Sequence, residues 1–164
     1  MTKAYRDLMR TIRSFATNVN NNRIKTNARS FIKESINKII KSNITTQEQF
    51  DKLHQEVCEN LIEKFEDQYF TIGQAQKWIN MTFKYLHLLE YKDITNIYEF
   101  CHIPIDSYML NITNYQMSKP WSKLNDYDEY LQYQEWFRDK YKNDIPLDVE
   151  FYLWLEEAKK IRNN

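Results

Sequence analysis

The chain has 164 residues, 23 basic against 23 acidic side chains, one glycine and three prolines. A chain of this length buries roughly 70% of its unfolded surface without metal or disulfide staples. The scarcity of turn-forming residues excludes a β-sandwich or barrel, which needs them at short, regular intervals. The expectation is an all-α protein: a single compact domain over 1–164, built of seven or eight helices, with its Tyr, Phe and Trp rings in the core.

Cys58 and Cys101 follow no disulfide framework, and the N-terminus lacks the apolar stretch of a signal peptide, so a cytoplasmic location is expected. No run approaches the ~20 apolar residues of a membrane span, so no membrane partner is expected. The bias toward Asn, Ile, Lys and Tyr points to an AT-rich bacterial or phage genome. The zero net charge conceals an asymmetry. Residues 1–45 hold ten Lys or Arg against Asp7 and Glu34, a sum of +8, and the remainder therefore sums to −8. A basic half of this kind either meets a polyanion such as DNA or is neutralised by its own acidic half.

In chain order, Tyr5, Leu8, Met9, Ile12, Phe15 and Ala16 predict a helix from Lys3 to about Val19, with Arg6, Arg10 and Arg13 on its other side. The run Asn18–Asn22 predicts a break, because Asn side chains bond to nearby backbone in turns. A second helix, about Thr26 to Ser42, buries Phe31, Ile32, Ile36, Ile39 and Ile40 and displays Arg29, Lys33 and Lys38. The two form an N-terminal basic helical hairpin (1–45), followed by central and aromatic acidic helices (46–164).

Thr45 and Glu48 have the spacing of a capping box. Phe50, Leu53, Val57, Leu61 and Phe65 then make an apolar stripe to about Asp67. From Gly73 to Glu90 the apolar face is wide, which predicts a central, largely buried helix. Asp93 can cap a short helix through Ile97 and Phe100. Pro104 stops it, and Asp106 caps another to about Thr113. Lys119–Trp121 reads as a loop, Asn125 or Asp126 opens a helix to about Lys142, Pro146 interrupts, and Asp148 caps a last helix to about Ile161.

Positions 77, 80, 84 and 87 step by three and four, so Lys77, Asn80, Lys84 and His87 share one side of the central helix. They form either a solvated polar face or, with Lys77 beside Trp78 and partly desolvated, the wall of a reactive cleft in which Lys77 is an amine nucleophile. Asp106 is either an N-cap alone or a capping aspartate that also serves as acid or base. His54 and Cys58 are one helical turn apart, but adjacent Cys101 and His102 rarely ligate one ion together, so buried free thiols and no metal are expected. No Walker loop, dinucleotide fingerprint, Ser-His-Asp order or zinc-protease motif is present, and no cofactor is expected.

Ile103-Pro-Ile-Asp-Ser-Tyr-Met-Leu110 resembles the segment of helix-hairpin-helix DNA glycosylases whose aspartate opens a helix and assists base excision. That resemblance implies Asp106 as the assisting carboxylate and Lys77 as the lysine that attacks the sugar in lyase members. It covers about a quarter of the chain and lacks the Leu-Pro-Gly-hydrophobic-Gly hairpin, for which only Ile72-Gly73 stands. Gln76-Lys77-Trp-Ile-Asn80, Lys84-Tyr-Leu86, Cys101–Asp106 and Trp121–Tyr127 more closely resemble small uncharacterised helical proteins of bacteria and archaea, which implies no activity. The resulting expectation is a DNA-binding or DNA-processing protein of glycosylase/lyase type. Lys77 and Asp106 would be catalytic, and Gln76, Asn80, Lys84, His87, His102, Arg6, Arg10, Arg13, Arg29 and Lys33 would bind. The alternative is a non-catalytic protein–protein interaction module of phage or defence origin, working through the acidic aromatic C-terminal half, where Tyr and Trp concentrate binding energy.

Overall fold

Helix α1, Val19–Lys41, opens a computed structural model that describes Ala4, Arg6 and residues 19–65 and 69–163. Helices α2 (Gln47–Glu63), α3 (Ile72–Leu88), α4 (Ser107–Thr113), α5 (Tyr127–Lys140) and α6 (Pro146–Asn163) follow, with single 3-10 turns at Tyr98–Phe100 and Trp121–Lys123. Among the described residues the protein is therefore all-α, with six α-helices and no strand. The expected helix over Lys3–Val19 falls largely outside the described residues, and with it the hairpin, Arg10 and Arg13; Arg6 is helical and exposed.

The expected break at Asn18–Asn22 is corrected: Asn20, Asn21 and Asn22 lie in the first turn of α1. Ile24, Ala28, Ile32, Ile36, Ile39 and Ile40 give this helix one continuous buried stripe, and packing of that stripe overrides the weak turn preference of Asn. At the start of α2 the cap is Thr46, one residue later than expected. Thr46 Oγ accepts from Gln49 N–H, and Gln49 rather than Glu48 reaches back, its Oε1 accepting from Thr45 N–H at 2.8 Å.

Helix α3 is the centre of the fold, packed on α1, α2, α5 and the Trp121–Lys123 turn. Its start is set by a capping box between Thr71 and Gln74. Fourteen of its seventeen residues are buried, so Lys77, Asn80 and Lys84 do not form a solvated face. Gly73 is the position where α3 meets the Trp121 turn: a Cβ there would stand 1.7 Å from the Trp121 carbonyl oxygen. Only glycine lets the two backbones approach so closely, and Gly73 N–H uses the approach to bond Leu124 O at 2.9 Å. The chain leaves α3 through Glu90, at φ 49°. The expected Asp93 helix is a turn followed by the 3-10 turn, with Asp93 Oδ1 accepting from Thr95 N–H. Pro146 begins α6 instead of interrupting before it, as its missing N–H and set φ allow at a first helical position.

Candidate functional site

Between Cys101 and Ile105 the chain is non-helical yet buried at every residue, so its backbone polar groups need partners inside the protein. Two glutamines supply them. Gln134 on α5 accepts from Ile103 N–H at 3.0 Å and donates to Ile103 O at 2.9 Å. Gln76 on α3 does the same for Ile105, accepting from its N–H at 3.1 Å and donating to its carbonyl at 2.9 Å. Each carboxamide thus replaces one rung of a neighbouring strand. The segment held this way delivers Asp106 to α3.

Asp106 then does two things with its two oxygens. Oδ1 caps α4 by accepting from Met109 N–H at 2.9 Å, and Oδ2 takes a hydrogen bond from the Lys77 ammonium at 2.5 Å. The side chains are 10% and 24% exposed, so the pair lies at the edge of the core. Two turns further along the same side of α3, Lys84 Nζ meets Glu150 Oε2 of α6 at 2.5 Å, and here Glu150 is sealed. Burial pushes the Glu150 carboxyl above the usual range, while Lys84 and then Lys77 pull it down. Phe151 and Trp154 of α6 cover the Lys84 ammonium with ring centroids at 5.4 and 5.8 Å. Two amines and two carboxylates from α3, α4 and α6 therefore share one region. The Tyr133 phenol, raised chiefly by burial, also senses the charge of Asp106.

A second network lies deeper. His102 Nε2 contacts Asp51 Oδ1 at 2.6 Å and its Nδ1 contacts the Tyr130 hydroxyl at 2.6 Å. His54 Nε2 contacts Asn80 Oδ1 at 2.9 Å, and Asn80 Nδ2 donates to Tyr130 at 2.9 Å and Ile103 O at 3.0 Å. Burial lowers both imidazoles well below the usual histidine range, reinforced at His54 by His102 and at His102 by Arg138. The geometric ion pair of His102 with Asp51 is accordingly a hydrogen bond from a neutral ring: Nε2–H donates to the carboxylate and Nδ1 accepts from Tyr130. Neutral His54 likewise carries its proton on Nε2, because Asn80 Oδ1 can only accept. Arg138 lies 3.6 Å from Asp51, and its Nε and Nη2 find no hydrogen-bond partner among the described residues.

The structure thus joins Lys77 to Asp106. It places Gln76, Asn80 and His102 in the core, where protein groups occupy their polar atoms. Lys84 is committed to Glu150, and His87 stacks on Tyr98 with centroids 3.9 Å apart. Arg29 and Lys33 are exposed on α1. Cys58 and Cys101 are buried thiols, pushed up by burial, with Cys58 Sγ 3.7 Å from His54 Nδ1. Among the described residues no three His, Cys, Asp or Glu are grouped to hold a metal ion, and no helix is long and apolar enough to cross a membrane. Glu150, Asp51 and Gln134 escaped sequence reasoning. Each lies on an ordinary amphipathic helix, and only its distant partner distinguishes it from a surface residue.

Open clefts also lie among the described residues. One, about 710 Å³, has Glu59, Asp126 and Asp128 beside Tyr69, Phe70 and Tyr127. Another, about 570 Å³, lies in the loop after α4. Compared with known proteins, the chain matches no family model, no curated protein and no solved structure.

Proposed function

We propose that this protein is a DNA-processing helical domain in which Lys77 is the amine nucleophile and Asp106 its proton acceptor. The observation that carries the reading is the 2.5 Å contact between these two side chains, 29 residues apart in sequence, at the edge of the core where the Asp106 side chain is partly exposed. In the resting pair the ammonium has no lone pair to donate. Passing one proton to Asp106 frees the amine, which can attack C1′ of an open abasic deoxyribose. The carbinolamine loses water to give an imine, a carboxylate takes a proton from C2′, and the 3′-phosphate leaves. The reading is further supported by Lys33, Lys38 and Lys41, which are exposed on α1 and form no ion pair among the described residues. Such cations can meet backbone phosphates.

Borohydride trapping on an oligonucleotide with one abasic site tests this. The expected result is a covalent adduct with the wild-type chain that Lys77→Ala abolishes. Absence of any adduct with the wild-type chain overturns the lyase reading.

The cleft beside Tyr69 favours a second reading, a module that binds a basic protein segment. Among the described residues its three carboxylates face no cation within the cleft, and Tyr69 stands 65% exposed at its rim. A lysine-rich peptide should then bind in a salt-dependent way and lose affinity with Glu59→Gln and Asp128→Asn.

A further inference from the structure

The loop that follows α4 closes into the 570 Å³ cleft, and its walls carry Asn111, Asn114, Tyr115, Gln116 and Lys119 with Met117 as an apolar surface. The loop is held in shape. Asn114, at φ 55°, ends α4 in the left-handed conformation that Asn tolerates. Ser118 is clamped by Glu129, whose two oxygens accept from Ser118 N–H at 2.7 Å and Oγ–H at 2.6 Å. The Tyr115 ring is braced by Tyr133 and Trp136 at centroid distances of 4.8 and 4.9 Å. Against that rigid frame, the carboxamides of Asn111, Asn114 and Gln116 make no side-chain hydrogen bond among the described residues. Among the described residues that line the cleft there is no carboxylate, and Lys119 gives it one cation.

We infer that this cleft is a subsite for an adenine nucleotide. A carboxamide offers one acceptor and one donor side by side, which matches the N6 amine and N7 of adenine; guanine presents two acceptors on that edge and calls for Arg or Lys. Asn111 and Gln116 supply the carboxamides, Tyr115 the ring on which a base stacks, and Lys119 the charge for the phosphate. The volume lies within the range of ordinary small-molecule sites. The inference deepens the nucleic-acid reading and rests on it for placement: Asp106 opens α4 and this cleft lies beyond its other end, about 10 Å along a helix of this length. A nucleotide seated here would be a neighbour of the one at Lys77.

The test is titration of the ¹⁵N-labelled protein with dAMP, TMP and inorganic phosphate, following backbone amides of residues 110–120 by NMR. The expected result is that dAMP shifts these amides with a Kd at least tenfold below that of TMP. Asn111→Ala with Gln116→Ala should remove the preference, and Lys119→Ala should weaken both nucleotides alike. These side chains are exposed, so the rest of the amide spectrum should remain in place and report an intact fold. Unshifted cleft amides, or equal responses to dAMP and phosphate, overturn the inference. It fails separately from the lyase reading: a trapped adduct without cleft shifts refutes the subsite alone, and cleft shifts without an adduct refute only the lyase.

Discussion

The imidazole rings of His54 and His102 lie 4.5 Å apart in the core, both neutral and both joined through the Tyr130–Asn80 bridge. Two charged rings at that separation would repel each other in a medium that solvates neither. Their neutrality is thus a condition of the fold, since the same network holds the Cys101–Ile105 segment that delivers Asp106.

Stability should therefore fall on acidification. Both histidines have folded-state pKa values below the unfolded value near 6.5, so the unfolded chain binds more protons as pH drops through that range. Their contribution is complete above about pH 6.5 and is lost below it, by up to about 1.4 kcal/mol per pH unit for each ring. Urea unfolding at pH 7.5 and 5.5 measures this. A higher midpoint at the lower pH would contradict the neutral assignment.

Gly73→Ala should destabilise the protein by about 1–3 kcal/mol or more, because the added methyl meets the Trp121 carbonyl oxygen at 1.7 Å and that atom belongs to backbone. Thermal unfolding reads the change. The loss of the Gly73 N–H bond to Leu124 should also appear as faster hydrogen exchange at that amide.

Asp106 carries a cap and an ion pair, and two variants separate them. Asp106→Asn keeps an oxygen for Met109 N–H, whereas Asp106→Ala loses it, so Ala should be the less stable by about 1 kcal/mol. Borohydride trapping should fail in both. Trapping that survives in Asn but not in Ala would make capping the whole contribution of this residue.

The Lys84–Glu150 pair should behave as a buried ion pair. Lys84→Met alone leaves Glu150 sealed without its cation and should cost about 3–5 kcal/mol, less whatever Glu150 regains by taking up a proton. Lys84→Met combined with Glu150→Leu should recover much of that loss. Denaturant midpoints of the two single variants and the double variant close the cycle.

Sequence by itself determined the helical class and the starts of the helices capped by Asp106 and Asp126. One glycine in the chain, periodic apolar stripes such as Phe50–Leu53–Val57–Leu61, and caps at Asp106 and Asp126 are local signals, readable because a helix satisfies its own backbone within a few residues. Tertiary structure decided which polar residues are interior. Lys77, Asn80 and Lys84 have the spacing of a solvated stripe, and nothing in that spacing announces that Asp106, His54 and Glu150 wait opposite them. The capping shift to Thr46 and the helical Asn20–Asn22 were settled by the same competition, local preferences of a fraction of a kcal/mol against the burial of whole apolar faces. The partners that make buried charge tolerable come from 29 and 66 residues away, and that distance is closed only when the helices pack.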